Sequence, residues 1–397
     1  MSRVLIVVPP LVGHVNPTIA PGVELSARGH EVTWAGVPGA VETLLPDGAR
    51  LVPVTGGLDD DEYRALHERG RGLRGAAALK FLWEDFLIPL ARATAPEIDG
   101  VIDSLDPDVV VIDQHSVGAA AVARLRGVPW VTAATNSAEL TDPLAGLPLV
   151  DEWVRELLYA LQVDLGVDPS DAATGDLRFS ERLVIVFSTE ELAGRPALTD
   201  VASRVRFVGP CLTSRPERAP FDWEWLDSTK PLVLVSLGTV NAEVGDRFYA
   251  VVVEALAGRP LQAVLAAPDR VDAHGAHNIK VVPQVPQLAL LARCSAVVTH
   301  GGHNTVCESL AHGLPLVLAP IRDDQPIVAE QVVRAGAGIR VRFSRVTSAE
   351  LLTSVERVLS ESGFRQSAVR IGESFKRAGG AMAAADLIEA SLRERVP

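Results

Sequence analysis

Short runs of aliphatic residues recur along the chain, each followed by a break marked by glycine or proline and then by a segment with helical spacing. Runs that are apolar at every position, rather than at alternate ones, mark strands buried on both faces of a parallel sheet. The first covers residues 4–8 and leads into Gly13-His14-Val15-Asn16, which reads as a turn. Asn16 is placed to cap the next helix, and Pro17 suits its first position. Gly29 closes that helix and a strand follows at 32–35. A second unit starts with a strand at 108–113 that ends in Asp113, continues as a helix at 119–125, and passes Gly127 and Pro129 into a strand from Trp130. This alternation predicts an α/β fold, a parallel sheet with helices on both faces.

The rhythm breaks twice. Residues 58–96 hold an acidic run (Asp59-Asp60-Asp61-Glu62), a stretch rich in Gly and Arg, and a helical segment carrying Phe81, Trp83 and Phe86. Residues 136–169 make a second excursion, from Asn136 past Trp153 and Tyr159. Long departures from a regular frame serve ligand binding or capping. A polar stretch at 213–227 with two prolines marks a boundary. Beyond it the pattern restarts, with strands at 232–236, 261–266, 279–282, 296–299 and 316–319, and then a helical stretch at 349–395. Two doubly wound domains in tandem are expected: 1–213, a linker at 214–228, and 229–375.

Composition narrows the partners. With 397 residues, 48% of them apolar, there is material for two large cores. A net charge of −13 disfavours broad contact with nucleic acid or an anionic membrane. Cys211, Cys294 and Cys307 have no disulfide or zinc spacing, which fits a reducing compartment. No apolar run reaches the roughly 20 residues of a membrane span, and no signal peptide is legible, so a cytoplasmic protein is expected, as monomer or homodimer.

The richest segment for chemistry is 297–325. A strand ends at Thr299, Gly301 and Gly302 follow, and a helix begins at about Asn304. Glycines let backbone approach a ligand, and the unpaired N–H groups of a helix start favour an anion. Asn304 and Glu308 lie four apart on one face of that helix. A carboxylate repels phosphate but accepts hydrogen bonds from sugar hydroxyls, so a diphosphate followed by a ribose meets both demands. A plain turn with a capping Asn and a solvated Glu meets the spacing equally well. His14 lies in the first βα turn, where open sheets present residues to ligands, and a neutral imidazole suits proton removal near pH 7. Asp113, at the end of another strand, is placed to orient its second nitrogen. On the residues alone, a turn histidine and a capping Asp stand beside those roles. Asp59 and Asp61 read as a solvated surface, and His300, His303 and His312 lack ligand spacing, so no metal is expected. Cys307 reads as core. No Gly-x-Gly-x-x-Gly follows the first strand, which disfavours an oxidoreductase.

The segment resembles the nucleotide-sugar signature of glycosyltransferase family 1 at His300, Gly302, Asn304, Thr305, Glu308, Gly313, Pro315, Pro320, Asp324 and Gln325. Gln284-Val285-Pro286-Gln287 is similar to the family's base-covering segment, and Ser236-Leu237-Gly238-Thr239 to its phosphate loop. Gly13-His14-Val15-Asn16-Pro17 and Arg28-Gly29-His30-Glu31-Val32 also match, so the likeness spans nearly the whole chain, nearest the bacterial macrolide and antibiotic branch. The resemblance implies the GT-B fold, two Rossmann-like domains facing across a cleft, with a C-terminal helix at 376–397 returning to the first domain. It implies inverting transfer from a UDP-sugar, or a dTDP-sugar, to a small hydroxylated acceptor, with no further cofactor and no metal. His14 would be the base and Asp113 its partner. His300, Gly302, Asn304 and Thr305, with Gly238 and Thr239, would meet the diphosphate; Glu308 would hold the ribose, and Asp324 and Gln325 the sugar. Where many members stack an aromatic on the base this chain has Gln284, so base contact would rest on Val285 and apolar packing. Phe81, Trp83, Phe86 and Asn136 would line the acceptor site. A nucleotide-sugar epimerase or hydrolase, or a non-catalytic binding protein, would share the donor residues.

Overall fold

The apolar runs become two fully parallel sheets in the computed structural model, which describes residues 1–70, 72–238 and 245–393. The chain divides into unit 1 (Met1–Glu190, Arg195–Pro216 and Ala378–Pro397) and unit 2 (Glu191–Gly194 and Glu217–Arg377). Unit 1 holds β1 (Arg3–Val7), β2 (Glu31–Gly36), β3 (Arg50–Pro53), β4 (Val109–Asp113), β5 (Trp130–Ala134), β6 (Val184–Val186) and β7 (Val205–Phe207). Their order is β3-β2-β1-β4-β5-β6-β7. Unit 2 holds β8 (Leu232–Ser236), β9 (Gln262–Ala266), β10 (Ile279–Val282), β11 (Ala296–Thr299), β12 (Leu316–Leu318) and β13 (Gly338–Arg340), in the order β10-β9-β8-β11-β12-β13. In each sheet the strand order reverses direction once, between β1 and β4 and between β8 and β11.

Alternate residues of each central strand enter opposite cores. On β1, Leu5 and Val7 join one cluster while Val4 and Ile6 join the other. On β8, Val233 and Val235 face one side and Leu232 and Leu234 the other. Both faces are therefore apolar, which is why the sequence shows unbroken runs instead of alternation.

The structure refines three local readings. The helix after β1 is Val12–Ala27, so His14 and Asn16 are helical, with the His14 and Val15 amides bonded to the Leu11 carbonyl. Asn16 does not cap it; Pro17 lies inside, where its missing N–H removes one bond and its fixed φ still suits a helix. The acidic run is a helix start: Asp59 accepts from the Asp61 and Glu62 amides, and Glu62 accepts from the Asp59 amide, opening the helix Asp60–Arg69. The last helical stretch is three helices, Ser348–Ser360, Ser362–Ala378 and Gly380–Arg393, the last two parted by Gly379 at φ +91°.

The final helix belongs to unit 1. Ala384, Ala385 and Ile388 are buried in its core. Arg28 reaches Asp386 at 2.6 Å and Glu389 at 3.1 Å, and His30 Nε2 lies 2.9 Å from Glu389. The Arg28-Gly29-His30 segment thus anchors that helix. No helix among the described residues is long and apolar enough to cross a membrane.

Candidate active site

In an open parallel sheet, the strand ends at the reversal of order are where backbone and side chains meet ligands. Both reversals in this chain carry a polar cluster. In unit 1, β1 and β4 are neighbours, with Val7 opposite Ile112. That pairing brings the helix after β1 to the end of β4, and His14 meets Asp113 across 99 residues of sequence. His14 Nδ1 lies 3.0 Å from both Asp113 carboxylate oxygens. The Thr135 hydroxyl donates to Asp113 Oδ2 at 2.6 Å, and the His115 amide donates to Oδ1 at 2.8 Å. A carboxylate with these donors turned on it acts as acceptor, so Nδ1 of His14 carries the proton and Nε2 is the basic nitrogen. The Asp113 side chain is fully buried, whereas His14 keeps 14% of its side chain exposed. A buried, satisfied carboxylate beside a reachable imidazole can orient the ring and stabilise its cation.

Sequence reasoning missed His115, Thr135, Glu139 and Arg178 around this pair. His115 packs its ring against that of His14, with centroids 4.6 Å apart and planes 31° from parallel. Ligand atoms of His14, Asp113 and His115 lie within 4.8 Å of one another, close enough to raise a metal site. One nitrogen of each ring is already engaged by a carboxylate, His14 Nδ1 at 3.0 Å from Asp113 and His115 Nε2 at 2.8 Å from Glu139. Asn136 adjoins the cluster, its Oδ1 accepting from the Ala138 amide at 2.8 Å. Trp83 and Phe86 are each only 3% exposed, in a core cluster that also holds Leu87, Ile88 and Val154. They lie on a π-helical turn, Phe81–Leu87, on which Phe81 is half-buried.

In unit 2, β8 and β11 pair with Ser236 opposite Thr299. His300 leaves β11 buried, its Nδ1 3.2 Å from the Thr299 hydroxyl. A Cβ on Gly238 would come within 2.8 Å of the His300 ring, and one on Gly302 within 2.5 Å of its Nε2. Both glycines are therefore demanded by the histidine itself. Burial pushes the His300 imidazole down to about 4, opposed by its bond to the Ser236 backbone and helped by nearby Arg322. It is neutral at pH 7, a hydrogen-bond donor and not a cation. The unfolded value is about 6.5, so between pH 6.5 and 4 the unfolded chain holds the extra proton and acid lowers stability. Urea unfolding is expected to show the advantage of wild type over His300→Gln shrinking through that window; a difference independent of pH would place the ring in water.

The helix His303–Ala311 follows Gly302. Glu308 and Thr305 on it are buried, and Gln287 binds both, its Nε2 donating to Glu308 Oε2 and, at 3.4 Å, to the Thr305 hydroxyl. Gln284 is exposed and Val285 half-buried against the core. Asn304 and Asp324 are half-buried. Gln325 is buried, and its Oε1 accepts from the Ile321 and Arg322 amides at 2.9 and 3.1 Å, shaping the loop before its own helix. Thr239 lies outside the described residues.

Comparison with known proteins supplies the family. The pattern that describes UDP-glucoronosyl and UDP-glucosyl transferase matches residues 201–377. The 4'-demethylrebeccamycin synthase of Lentzea aerocolonigenes is 30% identical over 429 residues, covering 98% of this chain and 99% of that protein. The glycotransferase of kitacinnamycin superposes with a TM-score of 0.77 at 28% identity, covering 98% of this chain and 99% of its own. The calicheamicin glycosyltransferase CalG4 gives 0.77 at 25% identity, with all of both chains covered. Two parallel α/β units, both sheet reversals and likeness to a relative along nearly the whole length lead to one conclusion: this chain belongs to the UDP-glucoronosyl and UDP-glucosyl transferase family and is a glycosyltransferase of the GT-B fold.

Proposed function

We propose that this enzyme moves a sugar, with inversion, from a nucleoside-diphosphate sugar to a hydroxyl of a small natural product. The observation that carries this reading is the His14–Asp113 pair, held at 3.0 Å at one sheet reversal. His14 Nε2 takes the acceptor proton while Asp113 stabilises the resulting imidazolium. Unit 2 binds the donor. Neutral His300 and the amides at the start of the helix His303–Ala311 donate to the diphosphate and ease its departure. Glu308 accepts from the ribose, and Asp324 and Gln325 serve the sugar. The donor is a UDP-sugar, because two vicinal ribose hydroxyls use a carboxylate more fully than the single one of a dTDP-sugar. Relatives named for rebeccamycin, kitacinnamycin and calicheamicin support a natural-product acceptor.

Fixed donors stabilise the leaving group in this mechanism, so no divalent cation is required. Turnover with UDP-glucose and a panel of hydroxylated acceptors is expected to persist in EDTA. Complete loss, restored by Mg²⁺ or Mn²⁺, would reject the mechanism. Calorimetry with UDP and dTDP tests the donor, and tighter binding of dTDP would overturn that choice.

A further inference from the structure

The Asp113 oxygens and the Thr135 hydroxyl, 2.9 Å away, all meet His14 at Nδ1, which leaves the imidazole able to rock about that end, and 14% of its side chain is exposed. The structure supplies a second constraint. The His115 ring packs beside that of His14, centroids 4.6 Å apart and planes tilted by 31°, while its backbone amide holds Asp113. His115 is itself clamped, its Nε2 2.8 Å from Glu139 Oε1 on the single turn Ala138–Thr141. Arg178 Nη1 lies 3.4 Å from Glu139 Oε2, and Asp176 grips Arg178 with its nearest contact at 2.6 Å. The series Asp176, Arg178, Glu139, His115 thus ends on the face of His14. Burial alone would raise the Glu139 carboxyl, but the His115 hydrogen bond and the charges of Arg178 and His115 bring it down to about 2. Glu139 is therefore ionised at neutral pH, the state that holds His115 most firmly.

We propose that His115, clamped by Glu139, is a positioning residue that fixes the plane of the His14 ring and so aims its Nε2 at the acceptor hydroxyl. The proposal rests on the reading of His14 as the base. Its mechanical part is visible without turnover. Nitrogen-15 spectra of the histidine rings in the whole protein are expected to show His14 as a single Nδ1–H tautomer. His115→Ala should broaden the His14 signals through ring motion, while the tautomer set by Asp113 stays, and His115→Phe, which restores a flat ring, should recover the wild-type line width. His115→Asn, which restores polarity but no face, should not. A wild-type pattern in His115→Ala overturns the proposal, as does recovery by Asn equal to that by Phe.

The kinetic part compares two acceptors with UDP-glucose as donor. His115→Ala is expected to lower kcat about tenfold or more for 2-phenylethanol and only about two- to threefold for 4-nitrophenol, whose proton leaves readily. KM for UDP-glucose should stay unchanged. Equal losses with both acceptors would mean a general structural defect and overturn the proposal. If His115→Ala fails to fold, Glu139→Gln, which keeps the volume and loses the charge, should show the same acceptor dependence in smaller measure. His14→Ala, assayed alongside, separates the two readings. If it shows no acceptor dependence, the base assignment itself has failed; if it does and the His115 variants do not, only the positioning role has.

Discussion

His14→Ala is expected to bind UDP as wild type does while transferring the sugar about 10²–10⁴-fold more slowly to an alcohol, a loss of roughly 2.7–5.5 kcal/mol in transition-state stabilisation. Binding should survive because His14 lies in unit 1, whereas the residues assigned to the nucleotide lie in unit 2. The loss should narrow for an acidic phenol, where less depends on a base. Asp113→Asn should also slow transfer: the amide keeps the volume and one acceptor oxygen but leaves the imidazolium without its counter-charge. Calorimetry for UDP and initial rates for an alcohol and a nitrophenol check each part. A His14→Ala enzyme that matches wild type on the alcohol would remove the dyad from the mechanism.

Glu308→Ala should weaken UDP by roughly 1–3 kcal/mol, which is about 5- to 150-fold in Kd. The side chain is buried and already accepts from Gln287, so the variant loses charge-assisted bonds to ribose and leaves that amide with one acceptor fewer. The weakening should be smaller for dTDP, whose sugar offers one hydroxyl instead of two. Calorimetry with both nucleotides measures it; unchanged affinity for both would end the ribose assignment.

The two sheets were legible because their central strands are buried on both faces: β8 and β11 fall where their apolar runs lie. β6, β7 and β13 have three residues each, too short to carry a period. The start of the helix Val12–Ala27 was hidden by Pro17, which reads as a first position and stands inside the helix. His300, Gly302, Asn304, Thr305 and Glu308, proposed for the donor, could be singled out together because they crowd into one strand–turn–helix. His115 stood in plain view two residues beyond Asp113, but its meaning depends on Glu139, 24 residues on, and on Arg178, 39 further. No local pattern links them; only the order of β1, β4 and β5 brings them together. Gln287 is similar: nothing in its own segment announces the buried carboxylate it serves.

The helix Gly380–Arg393 has a bearing on how the protein is made. It packs on the helix that carries His14, yet the ribosome releases it only after all of unit 2. At roughly 5–20 residues per second, the nascent unit 1 waits for about 8–32 seconds with part of an apolar face uncovered, a period in which a chaperone has something to hold. A message cut short within unit 2 would yield a chain whose helix Val12–Ala27 never receives its cover. Unit 1 is thus finished only when residues 380–393 have followed unit 2 off the ribosome.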